Sequence, residues 1–173
     1  MANKGRGLEE LISLQNAVYA ARGIANIQKI STPWKVIRQG NRIVSAFPEG
    51  KSTLDFRGTV RGGIPVSFDA KESQDERGLP LKHIQPHQVE YIRTALALGE
   101  VSFLLCCVKP LGTFGVIPGE TVIRQWEHWR ENKGKRGCNL IPGELMRPVP
   151  PGSGGNVLDY LAVVLQRKEG SCR

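Results

Sequence analysis

Apolar and polar residues alternate along two neighbouring segments of the chain, which is the pattern of strands that hold one face against a core. The even positions are apolar or small, namely Leu54, Phe56, Gly58 and Val60 in the first segment and Ile64, Val66, Phe68 and Ala70 in the second. The odd positions carry the residues capable of chemistry, namely Thr53 and Asp55 in the first segment and Asp69 and Lys71 in the second. Arg61-Gly62-Gly63 separates the segments as a turn signal, so the pattern predicts a β-hairpin with one polar face.

The alternation also predicts the register of this hairpin. Residues directly opposite each other in an antiparallel pair share a face, so even positions must oppose even ones and a three-residue loop over 61–63 is expected. That register sets Asp55 opposite Asp69 and Thr53 opposite Lys71. Two opposed carboxylates repel unless a cation lies between them. One interpretation is therefore a divalent-metal site beside a lysine, and the other is the solvated polar face of an ordinary hairpin.

Local patterns elsewhere predict a mixed α/β chain. The predicted elements are helices at 8–22, 86–98, 119–131 and 157–168 and strands at 101–108 and 114–117. The apolar run at 101–108 is uninterrupted, which indicates a central strand buried on both faces. Residues 72–79 are expected to form a loop and 148–155 a linker. Asn156 is expected to cap the last helix, whose apolar stripe completes either the core or a dimer.

A second, basic hairpin is predicted between the first helix and the polar face. Two short β-like runs at 34–38 and 43–47 flank the turn residues Gln39-Gly40-Asn41. The stretch and its flanks carry many cations and little acid, namely Lys29, Lys35, Arg38, Arg42 and Lys51 against Glu49. An isolated hairpin of this kind is marginally stable. It is either a solvated flap or a nucleic-acid contact, and Trp34 either stacks on bases or anchors its base.

Length and charge narrow the class of protein. The chain of 173 residues is long enough for one domain, and its net charge of +8 with a pI near 9.6 favours a polyanionic partner. The chain contains no apolar run of about eighteen residues, so no membrane span is expected. Its first residues are polar and charged, so no secretory signal is expected. Its four cysteines show neither a disulfide framework nor CxxC spacing, which favours a reducing compartment, the cytoplasm.

Several motifs together resemble a known family. Asp55, followed after thirteen residues by Asp69-Ala70-Lys71, resembles the core of the PD-(D/E)xK nucleases, with Leu54 in place of the proline. The further motifs, in chain order, are 4–10 (KGRGLEE), Thr32-Pro33, Ser52-Thr53-x-Asp55, 68–72 (FDAKE) and His87-Gln88. In this order, up to about residue 130, they resemble the RecU family of Holliday-junction resolvases. That family usually has Glu at the position of Asp69.

The resemblance implies an architecture and a substrate. The fold would be a restriction-endonuclease-like mixed sheet flanked by helices in a single domain, with a projecting basic stalk over about 30–51 that enters the open centre of a four-way junction. Residues 1–7 would be a flexible basic arm. Two symmetric nicks require two sites, so a homodimer acting in recombination and repair is implied.

The resemblance also implies roles for individual residues. The implied catalytic set is Asp55, Asp69, Lys71 and Glu9, and the implied metal-binding set is Thr53, Asp55, Asp69 and Gln88, for Mg²⁺ with Mn²⁺ as a substitute. The implied DNA contacts are Lys4, Arg6, Lys35, Arg38, Arg42 and Lys51. On a helical wheel Glu9 lies away from the apolar stripe, so a solvated glutamate is the alternative. For His87-Gln88 the alternative is an ordinary polar helix start.

Three functions compete at this point. The first is a structure-selective junction resolvase, the second a nuclease of the same core that acts on other DNA, and the third a non-catalytic junction-binding or recombination protein. The basic hairpin distinguishes the first from the second. The complete set of Asp55, Asp69 and Lys71 distinguishes both from the third.

Overall fold

The structure, a computed structural model, describes residues 7–31, 34–48, 53–132, 137–150, 152 and 154–166. Its helices are α1 (Leu8–Ala21), α2 (Pro86–Ala97), α3 (Gly119–Glu131) and α4 (Tyr160–Val164). Its strands are β1 (Ala25–Lys29), β2 (Trp34–Gln39), β3 (Arg42–Pro48), β4 (Phe56–Val60), β5 (Ile64–Ser73), β6 (Gly78–Pro80), β7 (Val101–Val108), β8 (Thr113–Pro118), β9 (Leu140–Pro142) and β10 (Arg147–Val149). The α/β prediction is confirmed.

A six-stranded mixed sheet carries the fold. Its strand order is β1-β4-β5-β7-β8-β10, with β5 and β7 parallel and the other neighbours antiparallel. One face packs in a core with α1 and α4, and the other packs in a second core with α2 and α3. Alternate residues of β7 enter the two cores, and this explains its uninterrupted apolar sequence. The prediction of a central strand buried on both faces is confirmed.

The predicted hairpin forms from β4 and β5 with the expected register. Val60 is opposite Ile64, which leaves a loop of 61–63 in which Gly62 and Gly63 have φ angles of 91° and 79°. Only glycine adopts such angles at little cost, so the Gly-Gly pair lets the chain reverse. On the α1 side the rings of three phenylalanines stack across three strands, with centroid distances of 5.0 Å for Phe56–Phe68 and 4.7 Å for Phe68–Phe103.

Three local predictions are wrong. Part of the expected loop at 72–79 is strand, because β5 continues to Ser73 and β6 pairs with β9. Part of the expected linker at 148–155 belongs to β10, which pairs with β8. The last helix begins at Tyr160 and is capped by Asp159, whose side chain accepts a hydrogen bond from the Ala162 amide. Asn156 instead contacts the side chain of Gln15.

Gln15 on α1 explains why the last helix begins late. Its side-chain oxygen accepts hydrogen bonds from the amides of Val157 and Leu158, at 2.6 and 2.9 Å, and holds that segment against α1. Gln15 is fully buried, and so are several apolar residues of the segment that follows, including Leu158 and Leu161. The apolar stripe of the last helix therefore completes the core.

Two further expectations from the sequence concern disulfide bonds and membrane spans. Cys106, Cys107 and Cys138 are free thiols. In the part of the chain that the structure describes, no helix combines the length and the hydropathy that a membrane crossing needs.

Replacing Gln15 with alanine should lower the free energy of unfolding by about 3 kcal/mol, because one buried and one partly buried amide lose their acceptor. Urea unfolding measures this loss. Gln28→Ala, at an exposed position of β1, is the matched control and should change stability by less than about 0.5 kcal/mol. Equal stability of the two variants would show that Gln15 does not anchor the C-terminal segment.

Candidate active site

The polar face of the β4–β5 hairpin lies on the α2 side of the sheet. Asp69 is buried, with 1% of its surface exposed, and Lys71 is partly buried two residues further along β5. The Lys71 ammonium lies 2.6 Å from Oδ2 of Asp69. The two side chains meet because residues i and i+2 of a strand project to the same face.

Asp55 also lies on this face, but in a bend that the alternation of apolar and polar residues does not predict. The β4–β5 ladder ends at Phe56–Phe68, so Asp55 lies in a bend just before β4. Its backbone carbonyl accepts a hydrogen bond of 2.7 Å from the Ile30 amide, and its Oδ2 accepts one of 3.2 Å from the Ala70 amide. The carboxyl is thereby tied to β5 directly beside Asp69.

The bend changes the surroundings of the two residues next to Asp55. Leu54 is fully buried in the core with α2 and α3, whereas Phe56 packs in the core with α1 and α4. The prediction that both share one face is wrong, because regular alternation starts only at Phe56. Thr53 is exposed ahead of the ladder, so the expected pairing of Thr53 with Lys71 does not form.

The electrostatics of the two carboxyls fit a cation site. Burial, and then the neighbouring charge of Asp69, raise the pKa of Asp55 to about 6, against the opposing effects of the Ala70 amide and Lys71. Among the described residues, neither oxygen of Asp69 receives a hydrogen bond of good geometry, although Lys71 forms an ion pair with one of them. Buried acceptors without donors are costly. Carboxylate oxygens are the ligands that Mg²⁺ prefers, so this pair suits a divalent metal.

Gln88 connects the site to α2. It lies in the first turn of α2, and its side-chain oxygen accepts hydrogen bonds from Lys71 Nζ at 3.1 Å and from the Gln85 amide at 3.0 Å. The same oxygen therefore caps the helix and orients the lysine. The role of Gln88 as a metal ligand stays a prediction, through its side chain or its backbone carbonyl.

Glu9 lies on the α1 side of the sheet, opposite to the side that carries Asp69 and Lys71. It is on α1, and its Oε2 is 2.5 Å from the ammonium of Lys29, with about half of each side chain exposed. The hydrogen bond to Glu9 raises the pKa of Lys29, and the charge of Asp55 adds to the effect. The described residues contain no group of three acidic, histidine or cysteine side chains able to hold a metal. Glu9 thus contacts Lys29, whose ammonium also feels the charge of Asp55, and does not join the two aspartates.

Sequence reasoning assigned no part in the site to Glu72 and placed Lys29 with the basic hairpin. Glu72 Oε1 accepts a hydrogen bond from the Leu8 amide at 3.1 Å and lies 2.8 Å from Lys109 Nζ, so it fixes the start of α1 against the face of β5 opposite to Asp69 and Lys71. Lys29 comes close to Asp55 because β1 adds to the edge of β4. Neither contact has a local sequence signal, since both depend on pairing between distant segments.

The basic hairpin forms a separate two-stranded sheet from β2 and β3. Lys35, Arg38 and Arg42 are exposed, and so is every side chain that the structure describes between them. Of the other predicted DNA contacts, Lys4, Arg6 and Lys51 lie outside the described residues, as does the side chain of Trp34.

Comparison with protein families identifies one match over nearly the whole chain. The profile of the family described as RecU, Recombination protein U, matches residues 3–164.

Individual relatives carry a consistent name, Holliday junction resolvase RecU. The relative from Leuconostoc citreum is 32% identical over 169 residues, which cover 94% of this chain and 80% of that protein. The one from Leuconostoc mesenteroides is 29% identical over 167 residues, covering 93% and 80%. The one from Streptococcus pneumoniae is 31% identical over 145 residues, covering 80% and 71%.

Among solved structures, the chain is similar to Hjc of Archaeoglobus fulgidus, described as a Holliday junction resolvase from an archaeal hyperthermophile. The TM-score is 0.36 at 10% identity, over 64% of this chain and 74% of that one. A similarity of this size is too slight to assign a fold.

Asp55→Asn should stabilise the protein at pH 8 when no divalent cation is present. An acid whose pKa rises from 3.8 to about 6 on folding costs stability when ionised, so the cost is full above pH 6 and absent below the unfolded value. We expect a gain of about 1 to 2 kcal/mol, reduced from the full shift because the carboxyl is partly exposed. Urea unfolding across pH measures it, and a gain that persists unchanged near pH 3.5 would contradict the assignment.

Proposed function

Because this chain belongs to the RecU family, we propose that it is a metal-dependent endonuclease that resolves four-way DNA junctions in recombination and repair. The observation that carries the proposal is the meeting of Asp55 and Asp69 beside Lys71, in a chain whose relatives are named junction resolvases. Carboxylates and a lysine converging in this way suit phosphodiester hydrolysis.

Asp55 and Asp69 would hold the metal. Mg²⁺ is the proposed ion, with Mn²⁺ as a substitute, because both take oxygen ligands. When bound, such an ion supplies an activated water and neutralises charge on the phosphate. Aspartate in place of the family's usual glutamate shortens the arm at position 69 and brings the carboxylate closer to β5. Thr53 and Gln88 remain proposed supports of this set.

Lys71 would contribute charge at the phosphate. Its ammonium contacts Asp69 on one side and Gln88 on the other, so its position is held by β5 and α2 together. An ammonium held in this way stabilises negative charge that develops on the phosphate oxygens. Glu9 is proposed to act at longer range, through Lys29.

The hairpin of β2 and β3 would select the substrate. A basic, exposed hairpin suits the open centre of a four-way junction, where several phosphates lie close together. Two nicks of matching position need two sites, so we propose a homodimer. The proposed contacts join basic side chains to the phosphate backbone of the DNA. Because that backbone carries no sequence information, recognition should depend more on the shape of the junction than on its base sequence.

Asp69→Asn should abolish Mg²⁺-dependent cleavage of a four-way junction and leave junction binding largely intact. The substitution removes a metal-binding charge and preserves every basic side chain. Cleavage and binding assays on the junction and on linear duplex, with and without Mg²⁺, give the comparison. Undiminished nicking by the variant would overturn the role of Asp69, and a wild-type protein that cuts linear duplex as fast as the junction would identify a general nuclease.

Replacing Lys35, Arg38 and Arg42 with alanine should weaken junction binding far more than duplex binding. Each lost phosphate contact reduces the salt slope of binding by about one, so the junction slope should fall by about three. The matched control replaces Arg93, Arg124 and Arg130 on α2 and α3, which removes the same charge from another surface. If the hairpin variant loses both DNAs equally, the hairpin is a non-specific basic flap.

A further inference from the structure

We propose that Arg57 contacts a DNA phosphate next to the scissile one, on the opposite side of the two carboxylates from Lys71. The inference rests on the proposed function and adds a second cation to its site, one that the motifs of the sequence do not indicate. It follows from the position of Arg57 on the sheet, the ring that supports it and the absence of an acidic partner among the described residues.

The position of Arg57 aligns it with the carboxylates. Arg57 on β4 is directly opposite Ser67 on β5, and Ser67 is two residues before Asp69. Opposite residues share a face, so Arg57, Asp69 and Lys71 follow one another on the α2 side of the sheet. Each step of two residues along a strand is about 6.6 Å, so the backbone positions of Lys71 and of Ser67, the residue opposite Arg57, lie about equally far from Asp69 in opposite directions along β5.

One face of α2 supports both cations. Gln88 binds the Lys71 ammonium, and Tyr91 lies three residues further along the same helix, which places both on one face. The guanidinium carbon of Arg57 lies 5.6 Å from the centroid of the Tyr91 ring. This distance is within the range of a cation–π contact.

The charge of Arg57 is available to a ligand. Arg57 is exposed, and among the described residues no carboxylate lies within ion-pair distance of it. Several other arginines are committed to protein groups, namely Arg22 to Asn156 and Gly154, Arg61 to Gly23, Arg77 to Asp75 and Arg93 to Glu127. A guanidinium that is stacked on a ring but unpaired keeps its planar donor edge free, and that edge matches phosphate oxygens.

The test uses the full chain. Junction binding is measured in the Asp69→Asn background, where no strand is cut, and single-turnover cleavage is measured in the wild-type background. Arg57→Ala should weaken binding about tenfold and reduce the salt slope by about one. Arg57→Lys should restore the slope but only part of the affinity. Arg124→Ala, which removes an exposed arginine from α3, is the control and should leave both values unchanged.

Two further readouts separate a phosphate contact from a structural role. Neutral methylphosphonates, placed one at a time around the cut, should slow cleavage by the wild type at a position next to the scissile phosphate, and Arg57→Ala should be insensitive at that position. Tyr91→Leu should reproduce part of the loss, and Tyr91→Phe, which keeps the aromatic face, should restore it. Urea unfolding of Arg57→Ala should match that of the wild type.

The proposal is overturned if Arg57→Ala keeps the affinity and the salt slope of its parent, or if it remains as sensitive as the wild type to every methylphosphonate. The binding measurements need no cleavage. A wild-type protein that binds the junction without cutting it would contradict the proposed function. The contribution of Arg57 would still be measured in that case, from the salt slope of junction binding.

Discussion

The site is built around two carboxyl groups that are held side by side and partly out of contact with water. Asp55 is tied to β5 by the Ala70 amide, and Asp69 is buried on the same strand pair, so neither can turn away from the other. Burial of the Asp55 carboxyl, and then the negative charge of Asp69, raise the pKa of Asp55 to about 6. A protein without a cation to bind gains nothing from this arrangement, which is why the pair points to metal chemistry more strongly than its sequence spacing does.

The surrounding elements hold this pair in place. On one face of the hairpin the stacked phenylalanines join β4, β5 and β7 into a rigid layer. On the other face the start of α2 supplies Gln88, which is held by its own helix cap and so positions Lys71. On the α1 side of β5, Glu72 fixes the start of α1. Side chains that must be placed accurately are thus carried by strands and by helix ends.

Local patterns predicted the parts of the fold that local physics decides. The alternation of apolar and polar residues predicted the register of the β4–β5 hairpin, and the uninterrupted apolar run predicted the central strand β7. The prediction failed at Leu54, where a bend replaces the strand. Because the chain leaves the ladder there, its side chains no longer alternate between the two faces, and Leu54 enters the core with α2 and α3.

The remaining features come from pairing between distant segments. Lys29 approaches Asp55 only because β1 joins the edge of β4, and Arg57 meets Tyr91 only because α2 crosses that face of the sheet. The last helix starts at Tyr160 because Gln15, far away in sequence, binds the amides before it. A window of neighbouring residues contains none of this information.

The Asp55–Asp69 pair is proposed to bind a divalent cation. Calorimetric titration of the protein with Mg²⁺ in buffers of different ionisation enthalpy tests it most directly, since it reports both binding and proton release. With the pKa of Asp55 at about 6, binding should release about half a proton per site at pH 6 and almost none at pH 8, and Asp55→Asn should abolish the release. Binding with no proton release at pH 6, or equal binding by Asp69→Asn, would contradict the account.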